Sequence, residues 1–260
     1  MDSLEQLFSL RGHVGLVTGA SSGLGWECGH ALAIGGADLV LVARRGDRIE
    51  KLAAELSSTY AVRCVAIAGD VTETNTLDPL FDRARQQLGT IDILVNNAGI
   101  SPTGRAERFS RELWDDTFAL NVTAPMMLAQ RFARRLIKEK QPGRIINITS
   151  ILAYLGSAVY RLSAYTASKA ALANLTRQLA IEWAPYNILV NAIAPGWIPT
   201  EATEGGIAEP EWRKRMEDFT PMARLGKPEE IRGAIVFLAS QASSYMTGSV
   251  VSVDGGYQCW

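Results

Sequence analysis

The sequence predicts an α/β protein built on one parallel sheet of seven strands with helices on both faces. Short strand-like runs alternate with helix-like segments along the whole chain of 260 residues. The second run, Leu39-Val-Leu-Val42, is fully apolar, as a strand buried on both faces should be. A glycine-rich turn follows the first run and opens a helix-like segment. Regular alternation of this kind implies right-handed crossovers and a doubly wound sheet, and no linker, repeat or low-complexity tract divides the chain. We therefore expect a single domain over residues 1–260.

Each element follows from the pattern of apolar residues and from the residues that stop it. The expected strands cover 14–18, 39–42, 62–67, 91–95, 144–149, 188–193 and 250–253. The expected helices cover 23–33, 48–56, 75–88, 110–138, 164–183 and 229–239. Pro125 is expected to interrupt the helical stretch 110–138, and Pro185 to end the helix that precedes it. The segment at about 196–227 breaks the alternation, and long insertions of this kind often form lids over a substrate.

Composition excludes several classes of function. The 26 basic and 27 acidic residues nearly balance and form no basic stripe, which disfavours binding to nucleic acid or to a membrane surface. Cys28, Cys64 and Cys259 lack CxxC spacing, and His13 and His30 do not form a metal-binding pair. The acidic start of the chain does not resemble a signal peptide. We expect a cytoplasmic protein that binds no metal.

The turn after the first strand predicts a phosphate-binding loop. It reads Thr18-Gly-Ala-Ser-Ser-Gly-Leu-Gly25. Glycines there allow a tight turn and a close approach of backbone amides to a pyrophosphate, and the following helix directs its positive end at the same point. The alternative is a glycine-rich turn that binds nothing. The candidate contacts are Gly19, Ser21, Ser22, Gly23, Leu24 and Gly25.

The end of the second strand favours NADP(H) over NAD(H). A site for NAD(H) places an acidic residue there to accept a hydrogen bond from the ribose 2′-hydroxyl. This chain has Ala43 followed by Arg44 and Arg45, and guanidinium groups pair with a 2′-phosphate instead. We expect Arg44 to be the main contact, although an exposed basic turn is the alternative. Asp47 lies slightly later and leaves some use of NAD(H) open.

Tyr165 and Lys169 form the candidate catalytic pair. Their spacing places both side chains on one face of a helix. A phenol normally titrates near pH ~10, and a neighbouring ammonium favours phenolate and brings that value toward neutrality. The pair is supported by Asn96-Asn-Ala-Gly99, Ser150 and Pro195-Gly196, which follow three successive predicted strands. Ligands bind at the carboxyl ends of such strands.

Together these motifs resemble the short-chain dehydrogenase/reductase family over essentially the whole chain. The matching pieces are Thr18-Gly-x-x-x-Gly-x-Gly25, Gly69-Asp-Val71, Asn96-Asn-Ala-Gly99, Asn121-Val122, Ser150, Tyr165-x-x-x-Lys169, Pro195-Gly196 and Val253-Asp-Gly-Gly256. The resemblance implies a Rossmann fold with strand order 3-2-1-4-5-6-7. It also implies an oxidoreductase that moves hydride between a nicotinamide cofactor and a ketone or secondary alcohol. The opening Leu7–Val14 resembles the gluconate 5-dehydrogenase-like branch of this family.

The resemblance also implies roles for individual residues. Tyr165 would be the general acid or base, with Lys169 lowering its pKa and holding the nicotinamide ribose. Ser150 would donate a hydrogen bond to the substrate oxygen, and Asn121 would kink its helix and position a water for a proton relay. The remaining implied cofactor contacts are Asp70 and Val71 at the adenine, Asn97, Ala98 and Gly99 along the adenosine, and Pro195, Gly196, Ile198 and Thr200 at the nicotinamide.

One feature departs from the family pattern. Ser150 precedes Tyr165 by two residues more than is usual, and the residue at the usual distance, Leu152, has no hydroxyl. We expect that the loop 151–164 is longer and that Ser150 keeps its place at the strand end. Ser157 and Ser163 are the alternatives.

Further features of the sequence concern the substrate and the assembly. Lid residues that include Trp197, Ile207 and Trp212 predict an apolar, aromatic substrate pocket, or else pack the lid onto the body. Arg161 is a candidate for a substrate carboxylate or a solvated loop residue. The family implies a homotetramer, with the tail 257–260 near a neighbouring subunit. A non-catalytic NAD(P)-binding regulatory protein on the same fold is the alternative function, and the presence of Tyr165 and Lys169 disfavours it.

Overall fold

A computed structural model describes residues 3–201 and 209–259. Its sheet has seven strands in the order β3-β2-β1-β4-β5-β6-β7, and every neighbouring pair is parallel. The strands are β1 Val14–Thr18, β2 Asp38–Ala43, β3 Cys64–Ala68, β4 Ile93–Asn96, β5 Gly143–Ile148, β6 Ile188–Pro195 and β7 Val250–Val253. The predicted fold class and strand order are confirmed.

Helices cover both faces of this sheet. In the described residues they are α1 Leu4–Phe8, α2 Gly23–Ile34, α3 Gly46–Tyr60, α4 Leu77–Leu88, α5 Arg111–Phe118, α6 Ala124–Glu139, α7 Ser163–Trp183, α8 Pro210–Phe219 and α9 Arg232–Ala239. The sequence did not predict α1, a short helix held by a capping box at Ser3. It did not predict α8 either, which lies inside the segment expected to be a lid. None of the described helices is both long and apolar enough to cross a membrane.

The interruption in the stretch 110–138 was placed wrongly at Pro125. The helical path changes before that residue, through a π-helical segment at Ala119–Thr123. Pro125 itself lies in the first turn of α6, where a missing backbone N–H costs little. Single π turns inside α-helices are rare and occur frequently at functional sites. Asn121 lies in this one and is buried.

Two apolar cores sandwich the sheet. On one face, strand residues such as Leu41 pack with α2, α3 and α9, and Leu32 is fully buried among them. On the other face, Leu16 packs with α4, α6 and α7 through residues that include Phe81 and Phe132. Burial on both faces explains why the strands read as continuous apolar runs rather than as alternating ones.

A buried polar network fixes α7 on the sheet. The Nδ2 of Asn96 donates to the Oδ1 of Asn147 on the next strand at 2.9 Å. The Nδ2 of Asn147 in turn donates to the Oγ1 of Thr176 on α7, also at 2.9 Å. Buried side-chain hydrogen bonds of this kind favour one arrangement of the elements that they join. The network therefore sets the position of the helix that carries Tyr165 and Lys169.

Candidate active site

A cleft of about 690 Å³ opens at the carboxyl ends of the strands. Most of the predicted site residues line it: Gly19, Ser21, Ser22, Gly23, Leu24, Arg44, Arg45, Asp70, Val71, Asn97, Ala98, Gly99, Ser150, Tyr165, Lys169, Pro195, Gly196, Ile198 and Thr200. Gly25 and Asn121 are not among the lining residues and lie behind the wall. The volume falls within the usual range for small-molecule and cofactor sites.

Glycine is required in the loop at one end of the cleft. A side chain at Gly25 would place its Cβ 2.1 Å from the carbonyl oxygen of Gly19, which no real structure tolerates. Gly19 and Gly23 both have positive φ values, and a Cβ on Gly23 would meet the Thr200 side chain at 3.2 Å. The loop thus leaves a cradle of backbone at the start of α2, directed at the cleft. Such a cradle fits the pyrophosphate of a dinucleotide.

A hydrogen-bond network anchored on Thr18 holds this loop against the neighbouring one. The Thr18 hydroxyl accepts hydrogen bonds from the backbone N–H groups of Asn97 and Ala98 at 3.0 and 3.2 Å. The Nδ2 of Asn97 donates back to the carbonyl oxygens of Thr18 and Gly19. Thr18 was not among the predicted site residues, although its position at the end of β1 gave a signal for it.

Basic and acidic side chains meet at the adenosine end predicted for the cleft. Arg44 is strongly exposed, and its guanidinium lies 3.9 Å from the carboxylate of Asp70. Burial opposes ionisation of that carboxyl, but hydrogen bonds from Thr72 and the charge of Arg44 leave the pKa of Asp70 lowered. Asp47 lies in the first turn of α3 and does not line the cleft. An exposed guanidinium at this point can bind a phosphate group.

Lys169 is buried at the other end of the cleft. Its side chain is 4% exposed, and its Nζ donates to the carbonyl oxygen of Ile148 at 2.7 Å. Burial lowers the pKa of this ammonium from 10.5 to about 8. The Nζ lies 5.6 Å from the centre of the Tyr165 ring, so the two side chains share one face of α7 as their spacing predicts.

The pKa of Tyr165 is controlled by burial rather than by the lysine. Burial raises it, and a hydrogen bond with the side chain of Ser150 lowers it in part. Lys169 was expected to lower this pKa. In this structure its ammonium faces the ring and bonds the Ile148 carbonyl. The phenol therefore stays protonated at neutral pH, the form in which it can donate a proton.

Ser150 lies beside Tyr165 despite the longer spacing. It follows β5 directly, its hydroxyl accepts from the backbone N–H of Leu152 at 3.1 Å, and it is hydrogen-bonded to Tyr165. The chain then makes a short 3-10 turn at Ile151–Ala153 and continues as a loop to the start of α7 at Ser163. Ser157 caps a local turn through the backbone N–H of Tyr160. Neither Ser157 nor Ser163 lines the cleft.

Asn121 connects two walls of the site from behind. It is fully buried, and its amide exchanges hydrogen bonds of 2.9 Å with the backbone N–H and carbonyl of Ile100. Its Nδ2 also donates to the Ser168 hydroxyl on α7. A Cβ on Gly99 would lie 3.1 Å from the Oδ1 of Asn121 and 3.6 Å from the Nζ of Lys169. Asn121 therefore positions the backbone at 99–100 beside the buried lysine.

The sequence did not predict part of the cleft wall. The unpredicted lining residues include Ile100, Ser101, Asp116, Ala119 and Leu120. They flank Asn96-Asn-Ala-Gly99 and Asn121 in the chain, so their closeness to recognised motifs was the available signal. The carboxylate of Asp116 makes this end of the cleft less apolar than expected.

The expected aromatic lining belongs mostly to the packing of the lid. The Tyr160 ring meets Trp197 edge to face and Trp212 at a tilt, with ring centres 5.9 and 6.2 Å away. These rings pack with Met216 rather than line the cleft. In the described part of the lid, Ile198 is the aliphatic residue that reaches the cleft. Ile207 and Trp260 lie outside the described residues, and Arg161 does not line the cleft.

Comparison with known proteins identifies the family. A family model described as enoyl-(acyl carrier protein) reductase matches residues 19–258. The chain is 40% identical over 252 residues to 2-dehydro-3-deoxy-D-gluconate 5-dehydrogenase of Dickeya dadantii, covering 96% of this chain and 97% of that one. The chain belongs to the short-chain dehydrogenase/reductase family. Gluconate 5-dehydrogenase of Gluconobacter oxydans, 38% identical with 96% of each chain covered, supports the gluconate 5-dehydrogenase-like branch.

Solved structures agree with this assignment. A short-chain type dehydrogenase/reductase from Mycobacterium marinum superposes with a TM-score of 0.94 at 36% identity, covering 99% of this chain and 100% of that one. A 2-deoxy-D-gluconate 3-dehydrogenase structure from Agrobacterium tumefaciens, solved with bound NADP, superposes with a TM-score of 0.89 at 37% identity, with 98% and 99% covered. Family membership makes the chain an oxidoreductase that transfers hydride between a nicotinamide cofactor and a carbonyl or alcohol.

Proposed function

We propose that this protein is an NADP(H)-preferring ketone reductase or secondary alcohol dehydrogenase. The observation that carries the proposal is the position of Ser150, Tyr165 and Lys169 at one end of a cleft whose other end is a glycine cradle. A dinucleotide laid along this cleft spans both ends. Its nicotinamide supplies or accepts the hydride. The protein supplies position, charge and a proton.

Tyr165 and Ser150 act on the substrate oxygen. A protonated phenol donates its proton to that oxygen during carbonyl reduction, and burial keeps the Tyr165 hydroxyl in this form by raising its pKa. The Ser150 hydroxyl, already hydrogen-bonded to Tyr165, donates to the same oxygen and stabilises the negative charge that develops there. In alcohol oxidation the phenolate accepts the proton.

Lys169 supplies positive charge in a dry environment. Its pKa of about 8 leaves the amine mostly protonated at neutral pH. The buried ammonium is placed to hold the ribose of the nicotinamide. Asn121 is a positioning residue, because it acts through the backbone of Ile100 and the Ser168 hydroxyl.

Arg44 is the basis for the proposed preference for NADP(H). Ala43 offers no carboxylate to a ribose 2′-hydroxyl, and the guanidinium of Arg44 is exposed at the cleft, where it can pair with a 2′-phosphate. The relative from Agrobacterium tumefaciens solved with NADP supports the same choice. Use of NAD(H) at lower affinity is compatible with this arrangement.

A carbonyl panel with both cofactors tests the proposal. The relatives named above include a 2-dehydro-3-deoxy-D-gluconate 5-dehydrogenase and a gluconate 5-dehydrogenase. Keto-gluconates therefore come first in the panel, followed by keto-hexoses, simple ketones, 3-oxoacyl thioesters and an enoyl thioester. Loss of absorbance of the reduced nicotinamide measures turnover. We expect at least one carbonyl compound to be reduced, faster with NADPH than with NADH at equal low concentration. Tight NADPH binding without turnover of any compound would favour the non-catalytic regulatory protein.

Several wider features belong to the same proposal. We propose that the chain works as one domain, that the segment 196–227 covers the substrate, and that the protein is a cytoplasmic homotetramer. Support comes from family membership, from the free thiols of Cys28, Cys64 and Cys259, and from exposed apolar side chains such as Ile181 on α7. Light scattering tests the assembly, since a monomeric mass contradicts it.

A further inference from the structure

A carboxylate bridge joins the two walls of the cleft at the phosphate-binding end. Glu201 directly follows Thr200, which lines one wall, and Arg45 comes from the opposite wall after β2. The Nη1 of Arg45 donates to both carboxylate oxygens of Glu201 at 3.1 Å. The Nη1 of Arg48 donates to the same carboxylate at 2.8 Å. These two guanidinium groups lower the pKa of Glu201 to about 2, so the bridge is charged throughout the physiological range.

Arg45 uses all of its donor directions inside the protein. Besides the bridge, its Nε and Nη2 donate to the Ser21 hydroxyl at 3.2 and 3.0 Å, and its Nη2 donates to the Ser22 hydroxyl at 2.7 Å. A guanidinium carries five N–H donors in a fixed plane. Five hydrogen bonds therefore occupy Arg45, which sits directly over the loop expected to hold the pyrophosphate.

Arg44, the neighbouring residue, is more exposed and less tightly paired than Arg45. Its side chain is 76% exposed, and its ion pair with Asp70 is long at 3.9 Å. Hence the two adjacent arginines differ in what they can offer a phosphate. Arg44 presents free donors, whereas Arg45 must first give up hydrogen bonds to Glu201 or to the serines.

We propose that Glu201 determines cofactor affinity and selectivity by competing with dinucleotide phosphates for Arg45. The carboxylate holds Arg45 in the bridge and leaves Arg44 as the main partner of the 2′-phosphate. This inference rests on the proposed function, because it requires a dinucleotide in the cleft. Removing the charge of Glu201 frees Arg45 for the phosphates, and it also removes a negative charge that repels them. Binding of NADPH should tighten more than binding of NADH, since NADPH carries the additional 2′-phosphate.

If the bridge is only structural, the Kd of the dinucleotides should change in the opposite direction. A bridge that merely holds Arg45 and the base of the lid in place would support the cofactor, so its loss would weaken binding of both dinucleotides. The sign of the change in Kd therefore separates the two explanations. Glu201 is 46% exposed at its side chain, so an isosteric amide there leaves the core untouched and the variant folds.

The experiment measures Kd of NADPH and NADH by fluorescence of the bound reduced nicotinamide, without substrate. The variants are Glu201→Gln, Arg45→Met and the double variant. Glu217→Gln is the matched control, because Glu217 is a lid carboxylate paired with Arg213 at 3.0 Å and does not line the cleft. Each titration is repeated at about 50 and about 200 mM salt, where screening of exposed charges differs.

We expect Glu201→Gln to lower the Kd of NADPH by about threefold to fivefold at low salt, as the usual strength of exposed ion pairs suggests. The Kd of NADH should fall less, the effect should shrink at higher salt, and most of it should vanish in the Arg45→Met background. An unchanged or higher Kd for NADPH overturns the inference, as does an equal fall in Glu217→Gln. If the unaltered protein binds neither dinucleotide, both the inference and the proposed function fail. If it binds them and Glu201→Gln does not tighten NADPH binding, the inference alone fails.

Discussion

Replacing Lys169 by methionine should stabilise the protein while it abolishes turnover. Lys169 is buried, and its pKa is lowered from 10.5 to about 8 by burial. Since each pKa unit is worth about 1.4 kcal/mol, keeping this amine protonated costs the folded state about 3 kcal/mol at neutral pH. Methionine has a similar length and no charge. The variant loses the hydrogen bond to the Ile148 carbonyl, and this loss offsets about 1 kcal/mol of the expected stabilisation. The net expectation is about 2 kcal/mol of added stability at pH 7.

Urea unfolding across a range of pH measures this effect. The pKa in the folded protein is below that in the unfolded chain, so the folded state binds fewer protons between about pH 8 and about pH 10.5. The unaltered protein therefore gains stability as the pH rises through this window, while Lys169→Met does not. The advantage of the variant should be largest at pH 7 and should decline toward pH 10. Protein concentration is kept constant because assembly adds to apparent stability.

Lys214→Met is the control, because Lys214 is an exposed lid residue paired with Asp218 at 2.9 Å. It should change the free energy of unfolding by no more than about 0.5 kcal/mol, without a trend in pH. A Lys169→Met variant that is less stable than the unaltered protein at pH 7 would contradict the prediction. So would a difference in stability between the two proteins that does not vary with pH. Either result would mean that the charge of Lys169 is compensated in the fold.

Three further perturbations follow from the site. Tyr165→Phe should retain NADPH binding, measured by fluorescence, and lose turnover by about 10²–10⁴, as expected for a lost proton donor; undiminished turnover would remove the phenol from the mechanism. Arg44→Asp should raise the Kd of NADPH and shift preference toward NADH, because a carboxylate repels the 2′-phosphate; an unchanged ratio of the two Kd values contradicts the assignment. Gly25→Ala should eliminate dinucleotide binding or folding, because its Cβ would overlap the Gly19 carbonyl. Gly233→Ala is the control, since a Cβ there has nothing within 4 Å, and it should bind dinucleotides as the unaltered protein does. Equal binding by both variants would show that the loop tolerates a side chain.

Much of the fold could be predicted from sequence because its central strands are buried on both faces. Such strands give continuous apolar runs, and the glycine-rich turn marks the first crossover. The exception near Pro125 has a physical reason. A proline in the first turn of a helix is compatible with helix, so the residue alone did not reveal that the irregularity was a π turn at Ala119–Thr123.

The site was predictable where chemistry restricts the residue type. Gly25, Ser150, Tyr165 and Lys169 stood out because few other residues can take their places. Tertiary geometry decided the rest. The state of Arg45 depends on Glu201, which lies 156 positions away in the chain, and the pKa of Tyr165 depends on burial that its helical spacing does not reveal. Spacing indicated that Lys169 is near the phenol but not that its ammonium faces the ring.

A crystal structure of the protein with NADP⁺ and a bound alcohol or ketone tests the roles of Tyr165 and Ser150 most directly. We expect the nicotinamide ring to lie beside Tyr165, with the substrate oxygen within hydrogen-bond distance of the hydroxyls of both Tyr165 and Ser150. A nicotinamide bound away from Tyr165, with no room for a substrate oxygen between them, would contradict it.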